Sequence, residues 1–296
     1  MKVFITGATG FVGSAVVQEF IHAGNQVLGL ARSSAAAHKL IAAGAEVHQG
    51  DLEDLESLKR GAAAADGIVH CGFIHDFSRY SEVCEVDRRA VEAIGEALAG
   101  TNKPFLVTSG TALVNPGTLA TEEMIPSINP AVPRVSEQAA DALAAGGVKA
   151  AVIRLSPSVH GPDDHGFIHM LFNIAREKGV SAYIGAGLNR WSAVHRLDAA
   201  GLYRLALENA AASARFHAVA EEEVAFKSIA QAIGQQLNVP VRSIPTQQAE
   251  EHFGWFAHFA AMDVPTSSRS TRARLNWQPK QQTLLEDIEA GLYTNL

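Results

Sequence analysis

The chain has 296 residues, of which 47% are hydrophobic and 19% charged, so it can bury the core of a large domain or of a domain with a lobe. Its formal net charge of −7 and its scattered basic residues argue against nucleic acid or an anionic membrane surface as a partner. Only two cysteines occur, Cys71 and Cys84, and the sequence has neither a signal-peptide pattern nor a long apolar run, so we expect a cytoplasmic protein.

Short apolar runs alternate with helical patterns through residues 1–155. The apolar runs are nearly continuous, which is typical of parallel strands that are covered on both faces. The predicted strands are 3–6, 26–30, 46–50, 67–71, 105–108 and 151–155, and the predicted helices are 13–23, 35–43, 55–63, 82–99 and 136–145. This repeated βα order predicts an α/β Rossmann fold, a doubly wound parallel sheet with right-handed crossovers.

The sequence becomes richer in turn residues, histidines and aromatic residues after residue 155. We predict helices at 167–178, 202–208, 226–237 and 284–293, and strands at 215–220 and 241–244. Neither an internal repeat nor a disordered linker separates the two halves. We therefore expect a nucleotide-binding domain at 1–155 and a smaller C-terminal lobe at 156–296, part of which returns to the sheet.

A glycine-rich turn lies between the first predicted strand and the first predicted helix. Gly7 permits a tight turn, Gly10 lets the backbone approach a pyrophosphate, and Gly13 lets the helix pack against the strand. Free N–H groups and the helix dipole then favour phosphate binding; the alternative is a tight turn without a ligand. The residues predicted to bind the pyrophosphate are Gly7, Thr9, Gly10, Phe11, Val12 and Gly13.

The end of the second predicted strand discriminates between nicotinamide cofactors. Enzymes that prefer NAD usually carry an acidic residue there, bonded to the ribose hydroxyls. This chain instead has Arg32 and Ser33, with no acidic residue nearby. An arginine can bind a 2′-phosphate through charge-assisted hydrogen bonds, to which the serine adds a hydroxyl. We predict NADP(H) rather than NAD(H), the alternative being an ordinary surface arginine.

Two further strand ends are expected to contact the cofactor. Asp51 and Leu52 follow the third strand and would lie beside the adenine, although Asp51 can equally be a helix N-cap. Cys71, Gly72 and Phe73 follow the fourth strand and would line the path to the nicotinamide. Since no base is adjacent in the sequence, we interpret Cys71 as a packing residue rather than a nucleophile.

These motifs resemble the extended short-chain dehydrogenase/reductase family, which includes epimerases, dehydratases and dihydroflavonol-type reductases. The fingerprint TGATGFVG at 6–13 carries most of the resemblance. Supporting segments are VTS at 107–109, RLSPSVHGP at 154–162, WSAVHRLDAA at 191–200, LNWQP at 275–279 and LEDIEAGLY at 285–293. The resemblance implies a nicotinamide cofactor, which Thr108, Ser109 and Ser158 also contact, and a substrate-binding C-terminal lobe.

The family's usual catalytic pair is absent from the sequence. Family members carry Tyr-x-x-x-Lys on the helix that enters strand 6, where the tyrosine exchanges a proton with the substrate. Aligned on Ser136, this chain has Pro133 and Glu137 in those two positions. No tyrosine is followed by a lysine four positions later; the tyrosines are Tyr80, Tyr183, Tyr203 and Tyr293. The chain therefore resembles the atypical branch, which keeps the dinucleotide fingerprint.

Other residues are candidates for the missing catalytic groups. Ser109 and Thr111 follow strand 5, and either hydroxyl can bond a substrate carbonyl or merely satisfy backbone groups. His160 occupies the position where the family often has a tyrosine, and a histidine can serve as an acid near neutral pH. The alternative for His160 is a structural role.

Substrate contacts are expected from loops that overhang the site and from an aromatic stretch at 252–259. That stretch is either core packing or the wall of an apolar pocket. His165 and His169 are four residues apart, but no third ligand follows, so we predict no metal. The residues predicted to bind substrate are His75, Tyr80, His165, Trp191, Trp255 and Phe259.

The favoured function is an NADP(H)-dependent oxidoreductase that acts on a small, partly apolar carbonyl or alcohol. One alternative is a non-catalytic NADP(H)-binding redox sensor or regulatory protein, which the loss of the catalytic pair favours. A lower-ranked alternative is a sugar-nucleotide-type epimerase or dehydratase. The alanine-rich helices at 82–99 and 136–145 are candidates for pairing in a homodimer.

Overall fold

Strands and helices alternate through the first half of the chain. The computed structural model describes residues 1–114, 116–126 and 133–294. Its strands are β1 (Lys2–Thr6), β2 (Gln26–Ala31), β3 (Glu46–Gln49), β4 (Gly67–His70), β5 (Phe105–Gly110) and β6 (Ala150–Leu155). The helices between them are α1 (Phe11–His22), α2 (Ser34–Ala42), α3 (Leu55–Ala63), α4 (Tyr80–Leu98) and α5 (Ser136–Ala145). Each predicted element of this half is confirmed, with ends that differ by at most a few residues.

The second half contains shorter elements. Its strands are β7 (Ser158–His160), β8 (Ser181–Ile184), β9 (Arg190–His195), β10 (Arg215–Ala218), β11 (Glu221–Ala225) and β12 (Val241–Ile244). Its helices are α6 (Phe167–Lys178), α7 (Arg196–Glu208), α8 (Phe226–Leu237), α9 (Ala249–Phe253), α10 (Ala257–Ala260), α11 (Arg269–Leu275) and α12 (Leu284–Glu289). Helix α7 begins before the predicted 202, and α12 ends before the predicted 293.

Seven strands of the described chain form one parallel sheet, in the order β10-β6-β5-β4-β1-β2-β3. The strand order reverses between β1 and β4, which pair with each other. The predicted doubly wound α/β fold is therefore confirmed. In such sheets ligands bind at the carboxyl ends of the strands beside the reversal. Smaller sheets, in the orders β11-β9-β7 and β12-β8, lie outside this one.

The alternating side chains of β1 enter two different hydrophobic clusters. Val3 and Ile5 pack with α1 and α7, whereas Phe4 packs on the opposite face with α3, α4 and α5. A strand that is buried on both faces needs apolar residues at successive positions, which is why these runs were recognisable in the sequence. A third cluster lies in the C-terminal half and contains Phe172 and Trp191.

Candidate functional site

The glycine-rich turn after β1 leaves no room for a side chain at Gly7 or at Gly13. Gly7 has a φ of +63°, and a Cβ atom there would lie 2.7 Å from Gly72 Cα. A Cβ atom on Gly13 would lie 2.0 Å from the Gly7 carbonyl oxygen. Gly10 is the N-cap of α1 and supplies no side-chain cap. The first N–H groups of α1 are therefore left for a ligand, and the cradle fits a pyrophosphate.

The remaining residues of this turn lie in the same place. Thr9, Phe11 and Val12 are partly buried, and Val12 packs against the hydrophobic cluster beneath α1. The guanidinium of Arg196, at the start of α7, lies 5.1 Å from the centroid of the Phe11 ring. The turn is thus stabilised by apolar packing at Val12 and by a cation–π contact at Phe11.

The end of β2 brings Arg32 and Ser33 to the surface. Ser33 is the N-cap of α2, and its hydroxyl accepts a hydrogen bond from Ala36 N over 3.2 Å. Arg32 is exposed and has neither a hydrogen bond nor an ion pair with any residue that the structure describes. Its guanidinium is therefore available to an anionic ligand at the carboxyl end of β2. We call the region outside the carboxyl ends of the parallel strands, where ligands of such sheets bind, the cleft.

Asp51 and Leu52 follow β3, where the cofactor prediction places the adenine. Asp51 accepts a hydrogen bond from Glu53 N over 3.0 Å. The alternative that Asp51 caps a helix is wrong, because Asp54 is the N-cap of α3 and accepts from Ser57 N. Leu52 lies against the turn after β4, since a Cβ atom on Gly72 would be 2.9 Å from its Cδ2 atom.

Buried polar side chains join the ends of β1 and β4 to α4. Thr6 Oγ1 lies 2.8 Å from His70 Nδ1 and accepts a hydrogen bond from Gly72 N over 3.1 Å. His70 Nε2 lies 3.1 Å from Asp87 Oδ1. Burial alone would raise the pKa of Asp87, but the hydrogen bonds and charges of its neighbours, His70 foremost, hold the pKa below its ordinary value. Asp87 is therefore an anion at neutral pH.

Arg134 lies beside this network, just before α5. Its Nε atom donates to Ser136 Oγ over 3.2 Å, and its Nη2 atom donates to the Thr108 carbonyl over 3.3 Å. The guanidinium carbon lies 4.2 Å from the centroid of the Phe73 ring. The Ser136 hydroxyl in turn donates to Asp87. Our sequence reasoning missed Arg134, whose only signal is that it follows Pro133, the position of the family's tyrosine.

Thr108 ties the end of β5 to its neighbours. Its hydroxyl donates to the His70 carbonyl over 2.6 Å and accepts from the Tyr203 hydroxyl over 2.7 Å. The thiol of Cys71 lies in the same environment, and desolvation raises its pKa to about 12, although hydrogen bonding with Thr108 and Tyr203 opposes this. The thiol is uncharged at neutral pH, in keeping with a packing role.

Two buried serine hydroxyls near the strand ends lack partners. Ser109 and Ser158 are 2% and 1% exposed, and neither hydroxyl has a hydrogen-bond partner among the residues that the structure describes. The Thr111 hydroxyl lies 3.4 Å from Ser192 Oγ. Because a buried hydroxyl without a partner is costly, the two serines fit a site that receives a polar ligand.

His160 lies in a closed cluster of ionisable side chains. Its Nδ1 atom is 2.6 Å from Asp287 Oδ2 of α12, and both side chains are fully buried. His195 Nε2 lies 3.9 Å from the same carboxylate oxygen. His160 Nε2 lies 4.0 Å from Glu221 Oε2 and has no hydrogen bond to a described residue. This burial favours the structural alternative for His160 over a proton donor.

Two of the predicted substrate residues lie near the glycine-rich turn. The ring of His165 packs edge-on against Phe11 at 5.7 Å, and that of His75 packs edge-on against Phe73 at 5.3 Å. Desolvation, together with the charges of Arg134 and His165, lowers the pKa of His75. Both histidines therefore lie at the cleft, beside aromatic residues of the turn and of the loop after β4.

The third predicted residue of this region, Tyr80, begins α4. Burial is the largest cause of its raised pKa of about 12, and the charge of Arg134 opposes the shift. Tyr80 is therefore protonated at neutral pH, within electrostatic reach of Arg134.

Trp191 and the aromatic stretch at 252–259 divide between the core and the surface. Trp191 is fully buried and packs against Phe226 at 5.1 Å. Phe256 is also buried, whereas Trp255 is 57% exposed. Phe259 is partly buried and contacts the Trp255 ring at 5.9 Å. Only the exposed edge of this stretch can meet a ligand without rearrangement of the core.

Glu137, at the position of the family's lysine, takes part in buried ion pairs. Arg154 Nε donates to its Oε2 atom over 3.1 Å, and Arg215 Nε donates to its Oε1 atom over 2.7 Å. Burial alone would raise the pKa of Glu137, but the two arginines lower it below its ordinary value. Its carboxylate is thus committed to cations of β6 and β10 and not directed toward the cleft.

The described residues contain neither a metal-binding cluster nor a membrane-spanning helix. Across residues 1–114, 116–126 and 133–294, no three His, Cys, Asp or Glu side chains are grouped so as to hold a metal ion. His169, one of the two histidines with helical spacing, is 2.9 Å from Asn173 Nδ2. Within those same residues, every helix is too short or too polar to cross a bilayer.

The chain matches one family model and two full-length relatives. The model of the NAD dependent epimerase/dehydratase family matches residues 3–219. "Uncharacterized protein C2A9.02" of Schizosaccharomyces pombe is 48% identical over 296 residues, which cover 99% of this chain and 100% of that protein. "Uncharacterized protein YLL056C" of Saccharomyces cerevisiae is 49% identical over 298 residues, which cover all of both proteins.

More distant similarity extends to enzymes. The UDP-glucose 4-epimerase of Streptomyces lividans is 30% identical over 146 residues, which cover 45% of this chain and 41% of that protein. Among solved structures, dTDP-glucose 4,6-dehydratase from Streptomyces venezuelae with NAD and TYD bound has a TM-score of 0.77 at 18% identity, covering 99% of this chain and 96% of that one. UDP-glucose 4-epimerase from Thermotoga maritima has the same TM-score and identity, with 100% and 99% covered.

The match over residues 3–219 and the shared fold define the class of protein. The chain belongs to the NAD-dependent epimerase/dehydratase family, the kind of protein that its motifs indicated. Relatives whose names describe an activity include an epimerase, a ketoreductase, a dehydrogenase and a reductase, each matched over less than half of its length.

Proposed function

We propose that this protein is an NADP(H)-dependent oxidoreductase that transfers a hydride to or from a small, partly apolar carbonyl compound or alcohol. The observation that carries the proposal is the uncapped start of α1, together with two buried serine hydroxyls, Ser109 and Ser158, that lack described partners. A phosphate cradle and unsatisfied hydroxyls at the carboxyl ends of a doubly wound sheet are suited to a dinucleotide and a polar substrate group.

The cofactor would be held along the carboxyl ends of the strands. The glycine-rich turn binds the pyrophosphate, and Arg32, exposed and without a described partner, binds the 2′-phosphate of the adenosine half. Asp51 and Leu52 adjoin the adenine. Cys71, Gly72, Phe73 and Thr108 line the nicotinamide half, because the first three follow β4 and Thr108 lies in the last part of β5, on the other side of the strand-order reversal.

The bound nicotinamide supplies or accepts the hydride. The Ser109 hydroxyl donates a hydrogen bond to the substrate oxygen and stabilises the negative charge that develops on it, and Thr111 assists from the next turn. During reduction the oxygen takes its final proton from water at the open mouth of the cleft. His75, Tyr80 and His165 contact the substrate. Trp255 and Phe259 form the apolar rim of the substrate site.

A second candidate function is that of a non-catalytic NADP(H) sensor. Pro133 cannot donate a proton, and Glu137 is committed to Arg154 and Arg215. A cofactor site without a usual proton donor suits a protein that reports on the cofactor without turning over a substrate. A sugar-nucleotide-type epimerase or dehydratase ranks third, because the family performs that chemistry with the tyrosine that this chain lacks.

Calorimetric titration with NADPH and NADH, together with NADPH consumption over a panel of aldehydes, ketones and enones, tests the proposal. We expect NADPH to bind more tightly than NADH and to be oxidised by some members of the panel. Binding without turnover across a broad panel would favour the sensor, and a folded protein that binds neither nucleotide would contradict both functions.

A matched pair of glycine variants shows whether binding occurs at the glycine-rich turn. Gly13→Ala places a Cβ atom 2.0 Å from the Gly7 carbonyl oxygen, whereas Gly201→Ala places one in open space on α7. We expect Gly13→Ala to abolish NADPH binding and Gly201→Ala to retain it, with circular dichroism as the check on folding. Equal affinities would exclude the turn as the binding site.

A further inference from the structure

Arg134, which our sequence reasoning did not assign, contacts β5 at Thr108 and the loop after β4 at Phe73. Its Nε and Nη2 atoms hydrogen-bond Ser136 and the Thr108 carbonyl, and its plane covers the Phe73 ring at 4.2 Å. Its Nη1 atom makes no hydrogen bond, and the guanidinium makes no ion pair, with any residue of the described ranges. One edge of a rigid fork of N–H donors therefore remains for a ligand.

A series of buried hydrogen-bonded side chains holds Arg134 in place. The Ser136 hydroxyl accepts from Arg134 and donates to Asp87. Asp87, which is 2% exposed, is bonded in turn to His70, and His70 to Thr6 at the end of β1. The position of the guanidinium is thus tied to the strand that carries the glycine-rich turn.

The charges around Arg134 determine what kind of ligand it can take. Asp87 lies one hydroxyl group away and offsets the positive charge, while His75, Tyr80, Cys84 and Tyr203 also lie within electrostatic reach. Because the charge is already offset, neutral oxygen atoms suffice as acceptors for the open edge. A pair of neighbouring hydroxyl oxygens matches the spacing of two N–H donors of one guanidinium.

A dinucleotide bound to this sheet would have one such pair of hydroxyls over β4 and β5. A dinucleotide whose pyrophosphate lies on the turn after β1, and whose adenosine lies over β2 and β3, extends its other nucleoside across the strand-order reversal. We propose that Arg134 binds the ribose hydroxyls of the nicotinamide nucleoside, anchored by Ser136 and Asp87. This assignment rests on the proposed cofactor site, and it makes Arg134 a cofactor-binding residue.

Two ligands that differ in this ribose test the assignment. NADPH carries it, whereas adenosine 2′,5′-bisphosphate keeps only the adenosine half. In Arg134→Met, which removes the charge and retains much of the side-chain length, we expect the Kd for NADPH to rise by about tenfold to hundredfold. We expect the Kd for the bisphosphate to stay unchanged, and Arg89→Ala, which alters an exposed arginine of α4, to change neither Kd.

Conservative variants keep the test decisive if Arg134→Met folds poorly. Arg134→Lys should retain part of the NADPH affinity, and Ser136→Ala should reduce it by a smaller factor than Arg134→Met, because the anchor is lost but the charge remains. NADPH affinity that is unchanged in all three variants overturns the assignment alone. Equal weakening of both ligands also overturns it, since the bisphosphate lacks the ribose. Wild-type protein that binds neither ligand overturns the proposed function and this assignment together.

Discussion

The carboxylate of Glu137 and the guanidinium of Arg154 form a buried ion pair at the start of α5. The two residues are 2% and 0% exposed, and Arg215 adds a second cation to the same carboxylate. These contacts join α5 to β6 and β10. The residue at the position of the family's lysine therefore links elements of the fold and is not positioned to contact a cofactor.

Glu137→Gln should destabilise the protein strongly. Removing one partner of a buried ion pair leaves an uncompensated charge, and we expect the free energy of unfolding to fall by about 3–5 kcal/mol. Asp141→Asn is the matched control, because Asp141 also pairs with Arg215 but is 36% exposed, and its loss should cost about 0–1 kcal/mol. Chemical denaturation measures the free energy of unfolding of both variants. Equal losses of stability would contradict the structural role of Glu137.

The same pair predicts a pH dependence of stability. The arginines hold the pKa of Glu137 below its ordinary value of 4.5 despite burial. A lowered pKa contributes stability that is present above the unfolded pKa and is lost as the pH falls through the folded pKa. The stability difference between wild type and Glu137→Gln should therefore be largest at neutral pH and shrink below pH 4.5. A difference that does not change with acidification in denaturation experiments would disagree with this prediction.

Arg32→Asp should change the cofactor preference. Loss of charge-assisted hydrogen bonds to the 2′-phosphate should weaken NADPH binding by about tenfold to hundredfold, with little effect on NADH. Arg269→Asp, an exposed position at the start of α11, gives the same change in net charge away from the cleft. If calorimetry finds the two nucleotides equally affected by Arg32→Asp, the arginine does not contact the 2′-phosphate.

Ser109→Ala should reduce turnover without affecting cofactor affinity. Removal of a hydrogen-bond donor to a developing oxyanion typically costs about a hundredfold in kcat. Ser156→Ala is the control, since that serine is also buried near the sheet edge but its hydroxyl is satisfied by the Ala218 carbonyl at 2.9 Å. Thr111→Ala should give a smaller loss than Ser109→Ala. Full activity in both hydroxyl variants would leave the substrate oxygen without a proposed donor.

His160→Ala separates a structural histidine from a proton donor. Because His160 is fully buried against Asp287, we expect a lower free energy of unfolding and an unchanged kcat for the folded enzyme. A selective loss of kcat, with the melting temperature maintained, would instead support His160 as the proton donor.

Pairing of two copies through α4 and α5 remains our prediction for the oligomeric state. The two helices pack on each other over one face of the sheet, as a two-fold interface built from both would require. Light scattering at high protein concentration should give the mass of a dimer. The mass of a monomer would refute the prediction.

The βα order could be predicted because its signals are local. Strands such as β1 and β5 are buried on both faces and so appear as continuous apolar runs. Strands β7, β8, β9 and β11 were missed, since their residues form a sheet only by pairing with distant segments, as Ser158 does with Ala193.

The site was predictable where a motif fixes the backbone and unpredictable where side chains meet across the fold. The turn from Gly7 to Gly13 needs only its own sequence, and its geometry agrees with a phosphate cradle. The anchor of Arg134 requires Ser136 to meet Asp87, which is 49 positions away in the sequence. The partner of His160 is Asp287, at a separation of 127. A local sequence pattern cannot predict contacts between residues so far apart in the sequence.

Strand β10 lies beside β6 at the end of the parallel sheet. A fragment cut after residue 155 would leave the backbone groups of β6 without that neighbour, next to the apolar side chains of Val152 and Ile153. Such an open edge invites pairing between molecules and hence aggregation. The segment 1–155 is thus a poor choice for excision as a stand-alone module, although it contains the glycine-rich turn and Arg32.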